Sequence, residues 1–400
     1  VSALAGKTVV LGVTGSIAAY KAADLTRALR KEGAAVHAIL TDGGSRFITP
    51  LTLQALTQNP VHTELFNLIS EERIGHISLA ERADLLLIAP ATANILGKAA
   101  GGIADDMLST VFMATKAPVL FAPAMNSGMY SSAAVQANLE LLASRGYLFV
   151  GPGEGLLACG TSGPGRMSDP PEILEAARMA LSPKELAGRK VVVTAGPTRE
   201  PMDPVRYLSN RSSGKMGYAL AAAARRFGAD VVLVSGPVAL PDPPFLRTVR
   251  VETAEEMAAA VEGEWEDADC LVMCAAVADF RPAAAAERKI KKEGFAGRLD
   301  LVPAVDILAS LGSRKGKRVL VGFAAETDGL EGNAVGKLAR KGLDAVAAND
   351  VSRGDIGFGA DENELTVFFA GGERLRIPKR AKEEAAEDLF RALLGKGLLR

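Results

Sequence analysis

Short, continuous apolar runs recur along this chain, and each is followed by a stretch with helical spacing. "KTVVLGVTGS" closes on Gly15-Ser16 and leads into "IAAYKAADLTRALRKEGA", whose periodicity stops near Gly33. "AVHAILT", "DLLLIAPA", "APVLFAPA" and "YLFVG" supply further strands. Strands that are apolar on both sides need cover on both faces, which crossover helices give to a parallel sheet. The pattern restarts after the polar connector "LSPKELAGRK". "VVVTAGPT" leads to the helix "MGYALAAAARRFGA", then to the strands "DVVLVSGP", "DCLVMCAAVA", "RVLVGFAAET" and "DAVAAND". The expected fold is therefore α/β, with two doubly wound, mostly parallel-sheet (Rossmann-like) domains over residues 1–186 and 187–400. A late "ELTVFFAGGERLRI" alternates around Gly371-Gly372 and predicts a hairpin, and a last helix starts near Lys379. Three segments interrupt this order and read as long irregular loops: Gly151–Pro171, Pro197–Lys215 and Phe280–Pro303.

Composition removes several function classes. The formal net charge is −1, so no whole-molecule field draws the chain to nucleic acid or to a membrane surface. No apolar run is long enough to span a bilayer, and the opening residues lack a signal-peptide layout. Three cysteines make no disulfide framework and predict a reduced, cytoplasmic setting. None of the three histidines is spaced with a cysteine as zinc ligands would be.

Chemistry-bearing residues gather after the strands. Gly12, Gly15 and Ser16 lie between the first strand and its helix, where free amides suit a phosphate. The third glycine of the dinucleotide fingerprint is missing there, and so is an acidic residue closing the second strand. This counts against a nicotinamide oxidoreductase. Thr41, Ser45, Thr92 and Asn94 follow the second and third strands, a composition suited to a flat aromatic cofactor with one phosphate; each could also be a cap or turn residue. His76 opens a helix, as a cap or as a neutral-pH base. Asn126 follows the fourth strand, as a helix cap or as a group binding a carboxylate or carbonyl. "LLACGTSGPGRM" sets Cys159 among glycines, where packing gives a thiol little to do, whereas Cys270 and Cys274 share one face of an apolar strand and read as core. In the second half, "SNRSSGKMG" is phosphate-friendly but is not a Walker A loop, since Met216 follows Lys215. Asp279 precedes the basic run Arg288, Lys289, Lys291 and Lys292, which is either a solvated loop or a carboxylate and lysines for metal and phosphates.

Taken together, these strings resemble one family: the bifunctional bacterial enzymes of coenzyme A synthesis that fuse phosphopantothenoylcysteine decarboxylase to phosphopantothenate–cysteine ligase. "GSIAAYK", "GHI", "APATAN", "PAMNSGMY" and "ACGTSGPGRM" carry the first half. "TAGPTREPMDPVRYLSNRSSGKMG", "AAVADF", "KIKK", "GFAAET" and "LDAVAAND" carry the second, so essentially the whole chain is covered. A flavin-binding regulatory subunit is a rival reading, but it need keep neither Cys159 nor a complete second half. The sequence departs from the family at Pro303-Ala304-Val305, where a lysine is usual before Asp306; Asp105 often has Asn in its place, and Tyr130 often Trp.

The resemblance implies FMN lined by Gly15, Ser16, Ile17, Thr41, Ser45, Thr92, Asn94 and Ala124. His76 is then the base beside the substrate thiol and carboxylate, Asn126 holds that carboxylate, and Cys159 is the proton donor. In the ligase half it implies CTP with Mg²⁺ (or Mn²⁺), and an acyl-cytidylate that reacts with cysteine. Lys289 meets the phosphate charge. Ala275, Asp279, Asp306, Phe323, Lys337 and Lys341 go to the nucleotide, Asn210 orients the acyl intermediate, and Arg206 meets 4'-phosphopantothenate. It further implies a homo-oligomer in which trimeric decarboxylase and dimeric ligase contacts close into a dodecamer.

Overall fold

The computed structural model describes residues 2–65, 75–156, 160, 162–292 and 297–399. It divides into two compact units, Val1–Ser182 and Pro183–Arg400.

In the first unit, β1 (Thr8–Val13), β2 (Ala35–Leu40), β3 (Leu85–Ala91), β4 (Val119–Pro123) and β5 (Leu148–Phe149) form a parallel sheet. Its order among the described residues is β2-β1-β3-β4-β5, the flavodoxin-like doubly wound arrangement. Every residue of β3 is buried, as a central strand covered on both faces must be. Pro90 lies in this strand without an N–H to give the ladder. Register between β3 and β4 shifts between Ile88 and Ala91, so the proline falls at the strand's carboxyl end, where the ladder is already breaking. After β5, β6 (Gly153–Leu156) and β7 (Ser162–Arg166) pair antiparallel.

The second unit carries β8 (Lys190–Ala195), β9 (Arg199–Pro201), β10 (Tyr207–Ser209), β11 (Asp230–Ser235), β12 (Arg247–Arg250), β13 (Cys270–Met273), β14 (Phe280–Pro282), β15 (Leu301–Pro303), β16 (Val319–Glu326), β17 (Ala345–Asp350), β18 (Glu362–Phe369) and β19 (Arg374–Ala381). Its main sheet runs β12-β11-β8-β13-β16-β17-β18-β19. The first six of these are parallel and follow the Rossmann order 3-2-1-4-5-6; β18 and β19 add the antiparallel hairpin expected around Gly371-Gly372. The helix Lys215–Arg226 packs onto β8 so closely that a Cβ at Gly217 would fall 2.5 Å from the Ala195 Cβ. The last helix begins at Lys382 rather than Lys379, because β19 continues to Ala381.

The three interruptions are not irregular throughout. Each is built on a two-stranded antiparallel ribbon: β6 with β7, β9 with β10, and β14 with β15. Glycines hide the first from pattern reading. Gly155, Gly163 and Gly165 have φ of 150°, 156° and 126°, so the ribbon uses backbone that other residues avoid. The edge strand β12 also lacks a sequence signal, since it reads Arg-Thr-Val-Arg and is only half-buried.

The division after Ser182 precedes the boundary expected at 186/187. Leu186 is fully buried in the second unit's core, and its N–H donates to the Phe227 carbonyl at 2.9 Å. The connector "LSPKELAGRK" is thus part of the second unit from Pro183 onward. Leu186→Ala should destabilise that unit by about 2–5 kcal/mol. Differential scanning calorimetry should show its transition lowered and that of the first unit unmoved.

Candidate active sites

Both clefts lie where strand order reverses, at the carboxyl ends of the parallel strands. In the first unit the loops after β1 and β3 leave in opposite directions, opening a crevice of about 620 Å³. It collects Gly15, Ser16, Thr41, Thr92, Asn94 and Ala124 from the expected cofactor set. The Thr14 hydroxyl donates to the Pro90 carbonyl at 2.7 Å, and the Thr92 N–H donates back to Thr14 Oγ1 at 3.2 Å. This pair ties the loop after β1 to the loop after β3. Thr92 also caps the helix Ala93–Gly101, as Thr41 caps the short helix Asp42–Ser45. A polar rim of hydroxyls and backbone amides faces an apolar wall of Ala124, Met125 and Met129. That donor set fits a flat, phosphate-bearing group.

Ile17 and Ser45 stand outside this lining. Ile17 is 56 % exposed, and the Ser45 hydroxyl turns back to the Asp42 carbonyl at 2.7 Å. Asn126 caps the helix Ser127–Tyr130 by accepting the Gly128 N–H at 2.8 Å and does not line the crevice. His76 lies in the first turn of the helix Gly75–Arg82, also away from the crevice; its Nδ1 is buried with no hydrogen-bond partner among the described residues. Cys159 lies outside the described residues. The ribbon that flanks it is joined to the loop after β4, since the Met125 N–H donates to the Gly165 carbonyl at 2.9 Å.

Sequence reasoning missed Lys98 and Asp106, which line the crevice from the helices that follow β3. Lys98 Nζ binds Asp105 at 2.6 Å and Asp106 at 2.7 Å. Burial works to lower the lysine's pKa, but the two carboxylates outweigh it and hold the ammonium above its usual range. Their signal was the Asp-Asp preceding Met107, legible only as a helix start.

The second cleft, of about 660 Å³, is bounded by the ends of β13, β16 and β17 and by the loop and helix start that follow β8. It brings together Asn210, Ala275, Asp279, Asp306, Phe323, Lys337 and Lys341. Asn210 Nδ2 donates to the carbonyls of Ala276 and Val277, at 2.9 and 3.2 Å. The Ala275 N–H is given to Thr194 Oγ1 at 3.0 Å. Asp306 caps the helix Ile307–Gly312 and pairs with Lys341 at 2.9 Å. Burial pushes its carboxyl up, yet the Lys341 bond and the Ala309 N–H outweigh this and leave it below the ordinary value. Lys337 Nζ donates to the Phe323 carbonyl at 2.5 Å, and burial, with the nearby Lys341 charge, lowers its pKa. Pro303, Ala304 and Val305 form part of the wall.

Arg206 and Lys289 do not line this cleft. They are neighbours of one another instead: Arg206 Nη2 donates to the carbonyl of Ile290 at 2.7 Å, and Lys289 is exposed. Lys215 and Lys382 do line it, and only the fold reveals Lys382 there. It is 6 % exposed and gives its ammonium to the carbonyls of Gly357, Phe358 and Ala360. Cys270 is buried in β13, as expected of a core residue, whereas Cys274 lies one residue past the strand, half-buried at the border of the cleft; burial pushes both thiols up, which counts against either as a nucleophile.

Two family models match the chain, "Flavoprotein" over residues 2–182 and "DNA/pantothenate metabolism flavoprotein C-terminal domain" over residues 186–396. The coenzyme A biosynthesis bifunctional protein CoaBC of Escherichia coli (strain K12) is 50% identical over 385 residues, 95% of each chain. Its namesake from Bacillus subtilis (strain 168) is 45% identical over 394 residues, 98% of this chain and 97% of the relative. The chain belongs to this bifunctional family. Its flavoprotein half is a decarboxylase and its second half a ligase. A solved C-terminal domain of a family member is 40% identical, covering 52% of this chain and 96% of that one with a TM-score of 0.46. An FMN-dependent cysteine decarboxylase, SpaF, is 33% identical over 44% of this chain and 97% of that one, with a TM-score of 0.40.

For the decarboxylase half, Gly165 is the residue that sets the flanking ribbon against the loop after β4. A Cβ there would fall 2.3 Å from the Met125 carbonyl oxygen. Gly165→Ala should cost about 1–3 kcal/mol for its φ alone. It should slow decarboxylation at least tenfold, with cysteine ligation by the second half as the unaffected control.

Proposed function

We propose that the ligase half joins cysteine to 4'-phosphopantothenate at the expense of CTP, and that the decarboxylase half converts the resulting 4'-phosphopantothenoylcysteine to 4'-phosphopantetheine with FMN. The observation that carries the first step is the charge of the second cleft. Lys341 is matched by Asp306 and Lys215 by Asp361, but Lys382, which is buried, and Lys337, which is half-buried, have hydrogen bonds only to carbonyls among the described residues. Buried ammonium groups without a bonded carboxylate are costly, and a polyphosphate is the counter-charge that offsets them.

In this reading the substrate carboxylate attacks the α-phosphorus of CTP, pyrophosphate leaves, and the cysteine amine then displaces CMP from the acyl-cytidylate. Developing charge sits on phosphate oxygens, so fixed cations are the main requirement. Lys337 and Lys341 supply them inside the cleft and Lys289 from the neighbouring ribbon, with Mg²⁺ or Mn²⁺ arriving on the nucleotide. Asn210 holds the Ala276–Val277 backbone where the acyl group would lie. Because the Ala275 N–H is already bonded, recognition of the cytosine edge there falls to its carbonyl. Asp279 and Phe323 close the same end, and Arg206 faces the pantothenate side.

In the first crevice, Gly15, Ser16, Thr41, Thr92 and Asn94 would hold the FMN phosphate and ring edge. The bound flavin supplies an electron sink that an amide-bearing carbon lacks. His76, with its unpartnered Nδ1, would take a proton from the substrate, Asn126 would orient its carboxylate, and Cys159 would return a proton to the product. A homo-oligomer built from trimeric and dimeric contacts, closing as a dodecamer in the cytoplasm, completes the reading. Among the described residues no helix is long and apolar enough to cross a membrane.

Purified protein given CTP, Mg²⁺, 4'-phosphopantothenate and cysteine should form 4'-phosphopantetheine, followed by mass. Accumulation of the cysteine adduct would sink the decarboxylase reading, and no pyrophosphate would sink the ligase reading. The pH profile of pyrophosphate release tests Lys337. Its pKa lies below the ordinary 10.5, so the charged form is lost as pH rises through that lowered value. Activity should therefore fall on the alkaline side earlier than an exposed lysine would dictate, and Lys337→Arg should move that limb to higher pH.

A further inference from the structure

Asp203 stands in none of the roles above, yet its carboxylate is among the most heavily bonded in the molecule. The residue is 4 % exposed. Oδ1 accepts the N–H groups of Val205 and Arg206, at 2.8 and 2.9 Å, which closes the turn it belongs to. Oδ2 accepts Arg206 Nε at 3.0 Å and Nη2 at 2.5 Å. Oδ2 also accepts the N–H of Ile290 at 3.1 Å, from a segment 87 residues away. Arg206 Nη2 then donates to the Ile290 carbonyl at 2.7 Å. The Asp203–Arg206 pair thus holds both polar backbone groups of one residue, and that residue follows Lys289. A second tie, Ala286 N–H to the Met202 carbonyl at 2.9 Å, fixes the same ribbon on the other side of Lys289.

A turn needs only Oδ1; the reach of Oδ2 to Ile290 has no part in closing it. The Ile290 N–H belongs to the peptide plane that joins Lys289 to Ile290, so fixing it sets the direction in which Lys289 leaves the backbone. The buried Asp203 carboxylate also orients the Arg206 guanidinium as a unit, so its donation to the Ile290 carbonyl is fixed by the same group.

We infer that Asp203 is a positioning residue of the ligase half, holding Lys289 and Arg206 in one fixed relation through the Ile290 backbone. This rests on the reading of Lys289 as the group that meets phosphate charge.

The test is a double-mutant cycle on pyrophosphate release in the full-length protein. Asp203→Asn should lower kcat about ten- to a hundredfold, the scale of a displaced catalytic group. Lys289→Gln should lower it at least as far, and the double variant should be within about twofold of Lys289→Gln alone. If Asp203→Asn costs the same factor in the Lys289→Gln background, the inference is overturned while the reading of Lys289 stands. If Lys289→Gln keeps the parental rate, the reading of Lys289 fails, and the inference with it. Limited trypsin digestion separates positioning from folding. Cleavage after Arg288 and Lys289 should accelerate in Asp203→Asn while other sites keep their rates, and general cleavage overturns the inference. Ile290→Pro removes the donor, while also fixing φ there and restricting Lys289, and should reproduce the kinetic loss; parental activity in that variant also overturns the inference.

Discussion

Parallel pairing on both sides of one strand governs both halves of this protein. β1 pairs with β2 on one side and β3 on the other, and β8 pairs with β11 and β13 in the same way. Right-handed crossovers to the two sides leave over opposite faces of the sheet, so the loops diverge and a crevice opens at the carboxyl ends. No side chain in the crevice is needed to make it. The same constraint, met twice with different strand orders, gives two clefts in one chain, and each gathers residues from loops remote in sequence.

The two clefts differ in how their charge is satisfied. In the first, one lysine, Lys98, is answered by two carboxylates, and the remaining polar lining is Asp42 with hydroxyls and amides. In the second, among the described residues, two of the cleft's lysines make their hydrogen bonds to carbonyls alone. A carbonyl dipole satisfies a hydrogen bond but does not neutralise a charge, so the second site carries the stronger demand for an anion. This difference is what the proposed function asks for, a flavin with a single phosphate in one half and a nucleoside triphosphate in the other.

The flanking ribbons are where pattern reading and structure diverge. Gly151–Pro171, Pro197–Lys215 and Phe280–Pro303 carry too many glycines, prolines and charges for alternation to show, yet each folds on short antiparallel pairs. The first joins the loop after β4 through Met125 and Gly165, and the other two are stapled together through Asp203, Arg206 and Ile290. The groups reached at Met125, Gly165 and Ile290 are backbone carbonyls and amides, which nearly every residue has, so the partner of Asp203 and Arg206 leaves no mark in residue type.

The sequence by itself determined the two α/β halves, the sheet strands from Thr8 to Asp350 apart from the polar edge strand β12, and the strand ends that carry Gly15, Thr41, Thr92, Ala275 and Phe323. It could do so because apolar runs and helical periodicity are local properties, and because carboxyl ends of parallel strands must share one edge. Only the tertiary structure decided that Leu186 belongs to the second half, that Lys98 and Lys382 face the clefts, and that Ile17 and Ser45 do not. Those outcomes depend on which buried position or carbonyl lies within reach after folding, and a distance between segments far apart along the chain is written in no single stretch of it.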